Sequence, residues 1–455
     1  MREIFCFFGG DDVPSISVIM PCLNMAKYID ECLKSVLCQT LIDIEIILVD
    51  AGSMDGTIEI VQSYADNDDR IHFVHSDKKS YGYQMNLGIS LANGEYIGIV
   101  ETDDYIEQDM LEILYREAKN SDADYVKGTS EGFYKCDGFD WRFEIIPCEG
   151  VKEQKRVVVC PMNRPDTFIE DNFLWNGIYR KELLKNIKFN ETLGAAFQDI
   201  GVLFRIFSTA SKGVYLDHKV YNYRQDNSAA SSYNKKSLQF TNYEYAQIKP
   251  LLPQLSQEWT EAYYNKLAGL TLNRFIFMGS SGEYWTESAD GIANIQSELR
   301  SCMQKNIHFK LSDRNEVKIF CKDPHKLFEF EKRQFDIKRS NLSNILNKAR
   351  KNNVYICGSG VYGRFLHAFL NVHGIRPIQS FCDNNIDIIG KSIQGLIVKN
   401  LKEVVAKDKN ALYIIATKKQ YADEIEKQLL NEGISPELIE KYSEGTDLYL
   451  LKENL

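Results

Sequence analysis

The sequence predicts an α/β fold whose main sheet is parallel and covered on both faces. Three observations predict it. Short apolar runs alternate with helical patterns over the first hundred residues. Ile44–Val49 is apolar almost without a break, as a strand buried on both faces requires. Acids stand where strands end, at Asp50 and across Glu101–Asp104.

Taken in order, Ser15–Pro21 is the first strand. Asn24 is a favoured N-cap and precedes Ile29, Leu33, Val36 and Leu37 at helical spacing, which predicts a helix starting at Asn24. Ile44–Val49 is the second strand, and Asp55-Gly56-Thr57 opens the second helix. Ile71–His75 reads as a strand and Gln84–Ala92 as a helix that Asn93-Gly94 ends. Tyr96–Val100 then leads into Glu101-Thr102-Asp103-Asp104. This βαβαβαβ order belongs to α/β domains, whose ligands gather beyond the carboxyl ends of the strands. Both acidic groups stand at that edge.

From Leu238 to Arg350 apolar residues recur at three- and four-residue spacing (Tyr263, Leu267, Leu270; Leu327, Phe330), which predicts helices. Ser340–Asn353 is polar and reads as a boundary. A second, smaller α/β signature follows: the strand Val354–Cys357, the turn Gly358-x-Gly360-x-x-Gly363 opening a helix, the strand Ile378–Cys382 ending at Asp383, and the strand Leu412–Ala416. The expected organisation is a nucleotide-binding α/β domain over residues 1–235, a helical connecting domain over 236–350 and a small Rossmann-like domain over 351–455.

Composition bounds the function. The chain has 455 residues, 44% hydrophobic and 26% charged, which suits a folded protein of several domains and excludes low-complexity classes. A net charge of −10 argues against a nucleic-acid partner. The eleven cysteines are odd in number with no CxxC pair, which reads as reduced thiols rather than a disulfide framework or a zinc site. No apolar stretch approaches a membrane span, and the apolar run Ile4–Phe8 is too short for a signal peptide. A cytoplasmic location is expected.

Two acidic clusters at adjacent strand ends repel one another. A divalent cation with a polyphosphate removes the repulsion, since Mg²⁺ or Mn²⁺ is held by one or two carboxylates plus substrate phosphates. Asp50 would accept hydrogen bonds from a base or ribose. Acids at strand ends also serve as solvated loop residues or helix caps, and for either cluster alone both readings stand. Together, with Pro21 and Asn24 at the preceding strand end, they favour a nucleotide.

The ordered set SVIMPCLNMAKYIDECLKSVLCQT, IEIILVDAGSMDGT and QMNLGISLANGEYIGIVETDD resembles the family 2 glycosyltransferases of GT-A fold, over roughly the first half of the chain. The resemblance implies a nucleotide-sugar donor, with UDP the first expectation. It implies donor contacts from Pro21, Asn24, Asp50, Gly52, Ser53, Asp55, Asn86, Glu101 and Asp103, with Asp103 as the principal ligand of Mn²⁺ or Mg²⁺. The sequence departs from the family pattern at Ala51, where a second acid is usual, at Glu101, which replaces an Asp, and at Met85, which replaces a basic residue.

Further on, the segment around Gln198-Asp199 resembles the place where the family presents its catalytic base. The resemblance implies an inverting single displacement, of hexosyltransferase type, in which Asp199 deprotonates the acceptor hydroxyl. Asp199 also precedes an apolar helical run, Ile200–Phe207, where a helix cap is the alternative reading, and an Asp can cap and catalyse at once. Trp175, Asn176 and Gln198 are candidates for the acceptor side. Tyr221–Ser232 resembles the family's closing segment, where Arg224 would supply phosphate charge, and His218 is a candidate further metal ligand.

The C-terminal glycines fit a dinucleotide fingerprint with Asp383 as the ribose acid. They also resemble small Rossmann-like modules attached to bacterial sugar-processing enzymes, which implies a structural or regulatory part. Two other functions stand beside the transferase: an NAD-binding oxidoreductase, and a weakened transferase acting as a scaffold. The resemblance further implies a glycan or lipid-linked acceptor, polysaccharide biosynthesis, and work at the inner membrane face. Peripheral membrane association and self-association are compatible with it.

Overall fold

The computed structural model describes residues 13–136, 139–194, 196–230, 233–281, 285–305 and 307–443. The N-terminal run Ile4–Phe8, Ala195 and the end of the Tyr221–Ser232 segment lie outside them. In chain order the elements are β1 (Ile16–Cys22), α1 (Ile29–Leu37), β2 (Ile44–Asp50), α2 (Thr57–Ala65), β3 (Ile71–His75), α3 (Tyr81–Leu91), β4 (Tyr96–Ile99), β5 (Tyr105–Ile106) and α4 (Met110–Ser121). There follow β6 (Tyr125–Cys136), β7 (Phe139–Ile145), α5 (Val151–Gln154), β8 (Arg156–Val159), α6 (Asp166–Glu170), β9 (Gly177–Arg180), α7 (Lys181–Leu184), α8 (Gln198–Thr209) and β10 (Gly213–Arg224). The helices α9 (Ser237–Ile248), α10 (Gln257–Ser281), α11 (Trp285–Gln304), α12 (Asn315–Lys322) and α13 (Pro324–Ala349) come next. The chain closes with β11 (Val354–Cys357), α14 (Val361–Val372), β12 (Ile378–Asp383), β13 (Ser392–Ile393), β14 (Leu396–Asn400), α15 (Leu401–Lys407), β15 (Leu412–Ala416), α16 (Lys419–Asn431) and β16 (Ile439–Tyr442).

The chain folds as two units, one of residues 1–132, 143–272 and 284–322, the other of 133–142, 273–283 and 323–455. The helical stretch read as one domain over 236–350 is therefore divided between them. The polar segment Ser340–Asn353 is mostly the end of α13, because Leu342, Ile345, Leu346 and Ala349 form a buried stripe beneath its polar residues.

In the first unit the sheet runs β3-β2-β1-β4-β9-β6-β10-β5. The first four strands are parallel, while β9 pairs antiparallel with both β4 and β6. Alternation decides which helix covers which face. Ile16, Val18 and Met20 form a core with Ile29, Cys32, Leu33 and Val36 of α1 and Leu111 and Leu114 of α4. Ile19 points the other way, towards α3, where a Cβ on Gly88 would lie 2.6 Å from its Cγ2. The register Cys22↔Asp50 and Ile19↔Ile99 brings the ends of β2, β1 and β4 side by side. That edge is the platform for the site.

Two helix starts differ from the sequence reading. The helix α3 begins at Tyr81 behind the Ser80 cap, three residues before Gln84. Asn24 does not cap α1, which begins at Ile29. It adopts φ 54°, a left-handed conformation that Asn tolerates better than most residues. In the second unit β14-β12-β11-β15-β16 are parallel, with β13 antiparallel at the edge. Cys22, Cys32, Cys38, Cys148, Cys160, Cys302, Cys321, Cys357 and Cys382 are free. No helix among the described residues is long and apolar enough to cross a membrane.

Candidate functional site

Two loops frame the strand ends, and their own side chains build them. The Asp50 carboxylate accepts from the N–H of Gly52 at 2.8 Å and of Ser53 at 3.0 Å, and from the Ser53 hydroxyl. Ser53 Oγ in turn accepts from the N–H of Asn24 at 2.8 Å, and Asn24 Oδ1 accepts from the N–H of Met54 at 2.9 Å. Asp55 joins the loops again, accepting from the N–H of Ala26 at 3.0 Å and from the Thr57 hydroxyl at 2.5 Å. Asp50 is only 1% exposed. Its carboxylate builds the turn, and the turn presents the exposed Gly52. Pro21 contributes its carbonyl, which accepts from the Thr102 hydroxyl at 2.9 Å and ties β1 to the acidic segment after β4.

Within that segment the acids divide by role. Asp104 is buried and accepts from the Tyr221 hydroxyl at 2.9 Å and the N–H of Arg224 at 2.6 Å. Tyr221 also accepts from the N–H of Glu101 at 3.0 Å, so one phenol pins the acidic segment against β10. Glu101 and Asp103 are half-buried. Glu101 accepts from the Tyr81 hydroxyl at 2.8 Å and Asp103 from the Asn227 amide at 2.8 Å. Burial pushes Glu101 up to about 8 against the pull of Tyr81, and the charges of Asp103 and Asp199 add to the push. Asp103 is raised too, chiefly by burial.

Asp199 is the second residue of α8, its Oδ1 accepting from the N–H of Ile200 at 3.1 Å. Burial raises it to about 6, opposed first by the Lys266 charge and then by helix N–H groups and Lys127. These two lysines are nearly inaccessible, at 0% for Lys127 and 5% for Lys266. Lys127 donates to Asp171 Oδ2 at 2.5 Å and to the Phe173 carbonyl. Lys266 donates to the Asp171 carbonyl at 2.9 Å and the Phe168 carbonyl, and burial pulls it down to about 7. Buried ammonium groups require compensation. One carboxylate, Asp171, faces two lysines, and Asp199 supplies the second.

Several residues predicted for the site lie elsewhere or are otherwise engaged. Asn86 bonds the main chain of Phe189 through both ends of its amide and also Glu191, so it braces that segment. Gln198, 2% exposed, accepts from the N–H of Gly82 at 2.9 Å and donates to the carbonyls of Asn190 and Thr192. Both amide hydrogens and one oxygen lone pair of Gln198 are thus engaged within the protein. Trp175 stacks on Tyr221 at 4.2 Å in the core. Asn176 is fully buried and donates to the Gly128 carbonyl at 3.2 Å.

His218 faces Asp109 at 3.1 Å rather than Asp103, because it stands three residues before Tyr221 on β10. Arg224 donates to the Asp103 carbonyl at 2.6 Å and to Glu31 at 2.5 Å, and lies over the Tyr28 ring. Met85 is fully buried. The sequence reading missed Tyr81, Asn227, Lys127, Lys266 and Lys79. The Cε of exposed Lys79 is 3.9 Å from where a Gly52 Cβ would stand. One signal was available: Lys266 shares the helical stripe of Tyr263, Leu267 and Leu270.

Among the described residues no three His, Cys, Asp or Glu side chains group as metal ligands. The pair Glu101 and Asp103 offers only oxygen, which fits a hard cation that completes its shell with phosphate and water. In the second unit the glycine turn is shaped by packing. A Cβ on Gly363 would lie 1.9 Å from the Gly358 carbonyl oxygen, and one on Gly358 2.7 Å from that of Ala416. Asp383 accepts from the Ser359 hydroxyl at 3.1 Å and the N–H of Asn385 at 3.0 Å.

Residues 17–206 match the family described as Glycosyl transferase family 2. The chain is 29% identical to "Glycosyltransferase GlyG" of Streptococcus pneumoniae serotype 4 over 312 residues, covering 66% of this chain and 98% of the relative. It is 35% identical to "Uncharacterized glycosyltransferase EpsJ" of Bacillus subtilis over 221 residues, covering 47% of this chain and 62% of that protein, so it spans less than two thirds of EpsJ. Among solved structures, S. aureus TarS 1-349 in complex with UDP-GlcNAc superposes with a TM-score of 0.53 at 20% identity, covering 71% of this chain and 91% of TarS 1-349. That last likeness is one of fold.

Proposed function

Because residues 17–206 are a family 2 glycosyltransferase domain and the chain is a glycosyltransferase, we propose that it moves a sugar from a nucleotide-diphosphate donor to a hydroxyl by a single inverting displacement. The observation that carries this reading is the convergence of Glu101, Asp103 and Asp199. The charges of Asp103 and Asp199 both act on Glu101, which follows the parallel strand β4. The Asn24–Asp55 loops would hold the nucleoside, and Lys79 stands beside them where a phosphate needs a cation. Asp103, with Glu101, would hold Mn²⁺ or Mg²⁺, which when bound would offset the charge of the leaving diphosphate.

Asp199 would take the acceptor proton. Its value of about 6 leaves it mostly ionised at neutral pH and still basic enough to help. The acceptor is read as a glycan or lipid-linked hydroxyl, in polysaccharide biosynthesis at the cytoplasmic face of a membrane. UDP is the first nucleotide to test, since the fold neighbour is named with UDP-GlcNAc. The test is calorimetry against UDP, GDP and CDP, each with Mn²⁺ and with EDTA, and against NAD(H). Metal-dependent binding of one nucleotide supports the reading. Binding of NAD(H) alone would replace it with the oxidoreductase, and binding of none would replace it with the scaffold.

A further inference from the structure

Glycine in a helix is less favourable than alanine, yet Gly201 closes the first turn of α8, two residues after Asp199. A Cβ there would lie 2.6 Å from Oε2 of Glu244 and 3.3 Å from the Arg205 guanidinium. The missing side chain is what lets Glu244, on α9, press its carboxyl against the α8 backbone. Glu244 is 2% exposed, and the backbone of Gly201 and the side chain of Asn190 lie near enough to favour its ionised form. Asn190 in turn offers its carbonyl to Gln198, whose oxygen takes the N–H of Gly82. Glu244, Asn190 and Gln198 thus form a collar around the start of α8, and Asp199 sits within it.

The collar has strain to hold. Phe197, the residue before α8, adopts φ 67°, a left-handed state that is strained for a non-glycine residue and persists only where its surroundings enforce it. We propose that Glu244 is a positioning residue of the transfer reaction: from outside the family-matched segment it fixes the turn that carries Asp199. The inference rests on Asp199 being the base.

The charged groups facing Glu244 are Arg205 and Asp199, both on α8. Burial raises Glu244 to about 8, so near pH 7 it is mostly a neutral acid, which glutamine imitates. The test uses the full chain with Glu244→Ala, Glu244→Gln, Gly201→Ala and Asp199→Asn. It reads nucleotide release from UDP-, GDP- and CDP-sugars with Mn²⁺, and amide exchange over residues 198–203. Glu244→Ala should speed exchange at the start of α8 and lower kcat by about ten- to a hundredfold, with KM for the donor little changed. Glu244→Gln should restore both at pH 7. Gly201→Ala, which displaces the carboxyl without deleting it, should copy Glu244→Ala and keeps the test open if that variant does not fold.

Unchanged exchange, or full kcat in a folded Glu244→Ala or Gly201→Ala protein, overturns the inference while an inactive Asp199→Asn leaves the base reading standing. Turnover retained by Asp199→Asn, or no release from any donor by the unmodified chain, removes that reading and this inference with it.

Discussion

Asn227 donates its side-chain amide to Asp103 Oδ2 at 2.8 Å and so fixes the carboxylate that follows β4. One oxygen is held by the protein and the other is free of that bond. Asn227 comes from the segment after β10, more than a hundred residues away. The acid is therefore set in place by the same segment that carries Arg224.

Asp103→Ala should abolish Mn²⁺-dependent binding of UDP if the proposed cation site holds, because that site would lose its principal oxygen ligand. Asn227→Ala should weaken it less, by about ten- to 150-fold, the worth of one hydrogen bond to a charged group at about 1.5–3 kcal/mol. Calorimetry with and without EDTA checks both. Equal affinity in Asp103→Ala and the unmodified chain would remove Asp103 from the metal site.

Asp199→Asn should leave UDP affinity nearly intact and reduce transfer by at least about a hundredfold, since a positioned base contributes about that much or more. The unmodified enzyme's kcat should fall as pH drops through about 6, because the ionised carboxylate is the active form and burial places its midpoint there. A rate independent of pH between 5 and 7 would count against Asp199.

Lys266→Met should move that midpoint upward. The ammonium is the strongest of the influences that favour ionised Asp199, so without it the proton is held to higher pH. Activity should suffer more at pH 6 than at pH 8, and a pH–rate profile reads the difference. An unshifted profile would show that Lys266 only braces Asp171 and Phe168.

These relationships mark where the sequence was readable. β1, β2 and β4 were visible because a strand buried on both faces is nearly all apolar, and the acids after β2 and β4 were visible because a strand end is a fixed place for a ligand. Lys127 was not, and Lys266 only by its place on an apolar helical stripe, since lysine is almost always exposed and a carboxylate reached from another element leaves no mark in the local sequence. Asn24 was misplaced because the property that suits Asn to a cap, a short polar side chain, also suits it to a left-handed turn. Gln198 reads as a site residue by its neighbour Asp199, yet helical geometry turns the two side chains in different directions.

Glycine spacing gives the last expectation, and it separates packing from ligand binding in the second unit. A Cβ on Gly360 meets nothing within 4 Å, whereas one on Gly363 would lie 1.9 Å from the Gly358 carbonyl oxygen. Gly363→Ala should destabilise the protein by about 1–3 kcal/mol or more through backbone displacement, and Gly360→Ala should be close to neutral. The same contrast applies in the first unit, where a Cβ on Gly82 would lie 1.9 Å from the Asn190 carbonyl oxygen. Gly82→Ala should therefore cost stability and also disturb the Gln198 bond beside Asp199. Urea unfolding of the three variants ranks them. If Gly360→Ala proved as costly as Gly363→Ala, space around the turn would not be what the glycines provide.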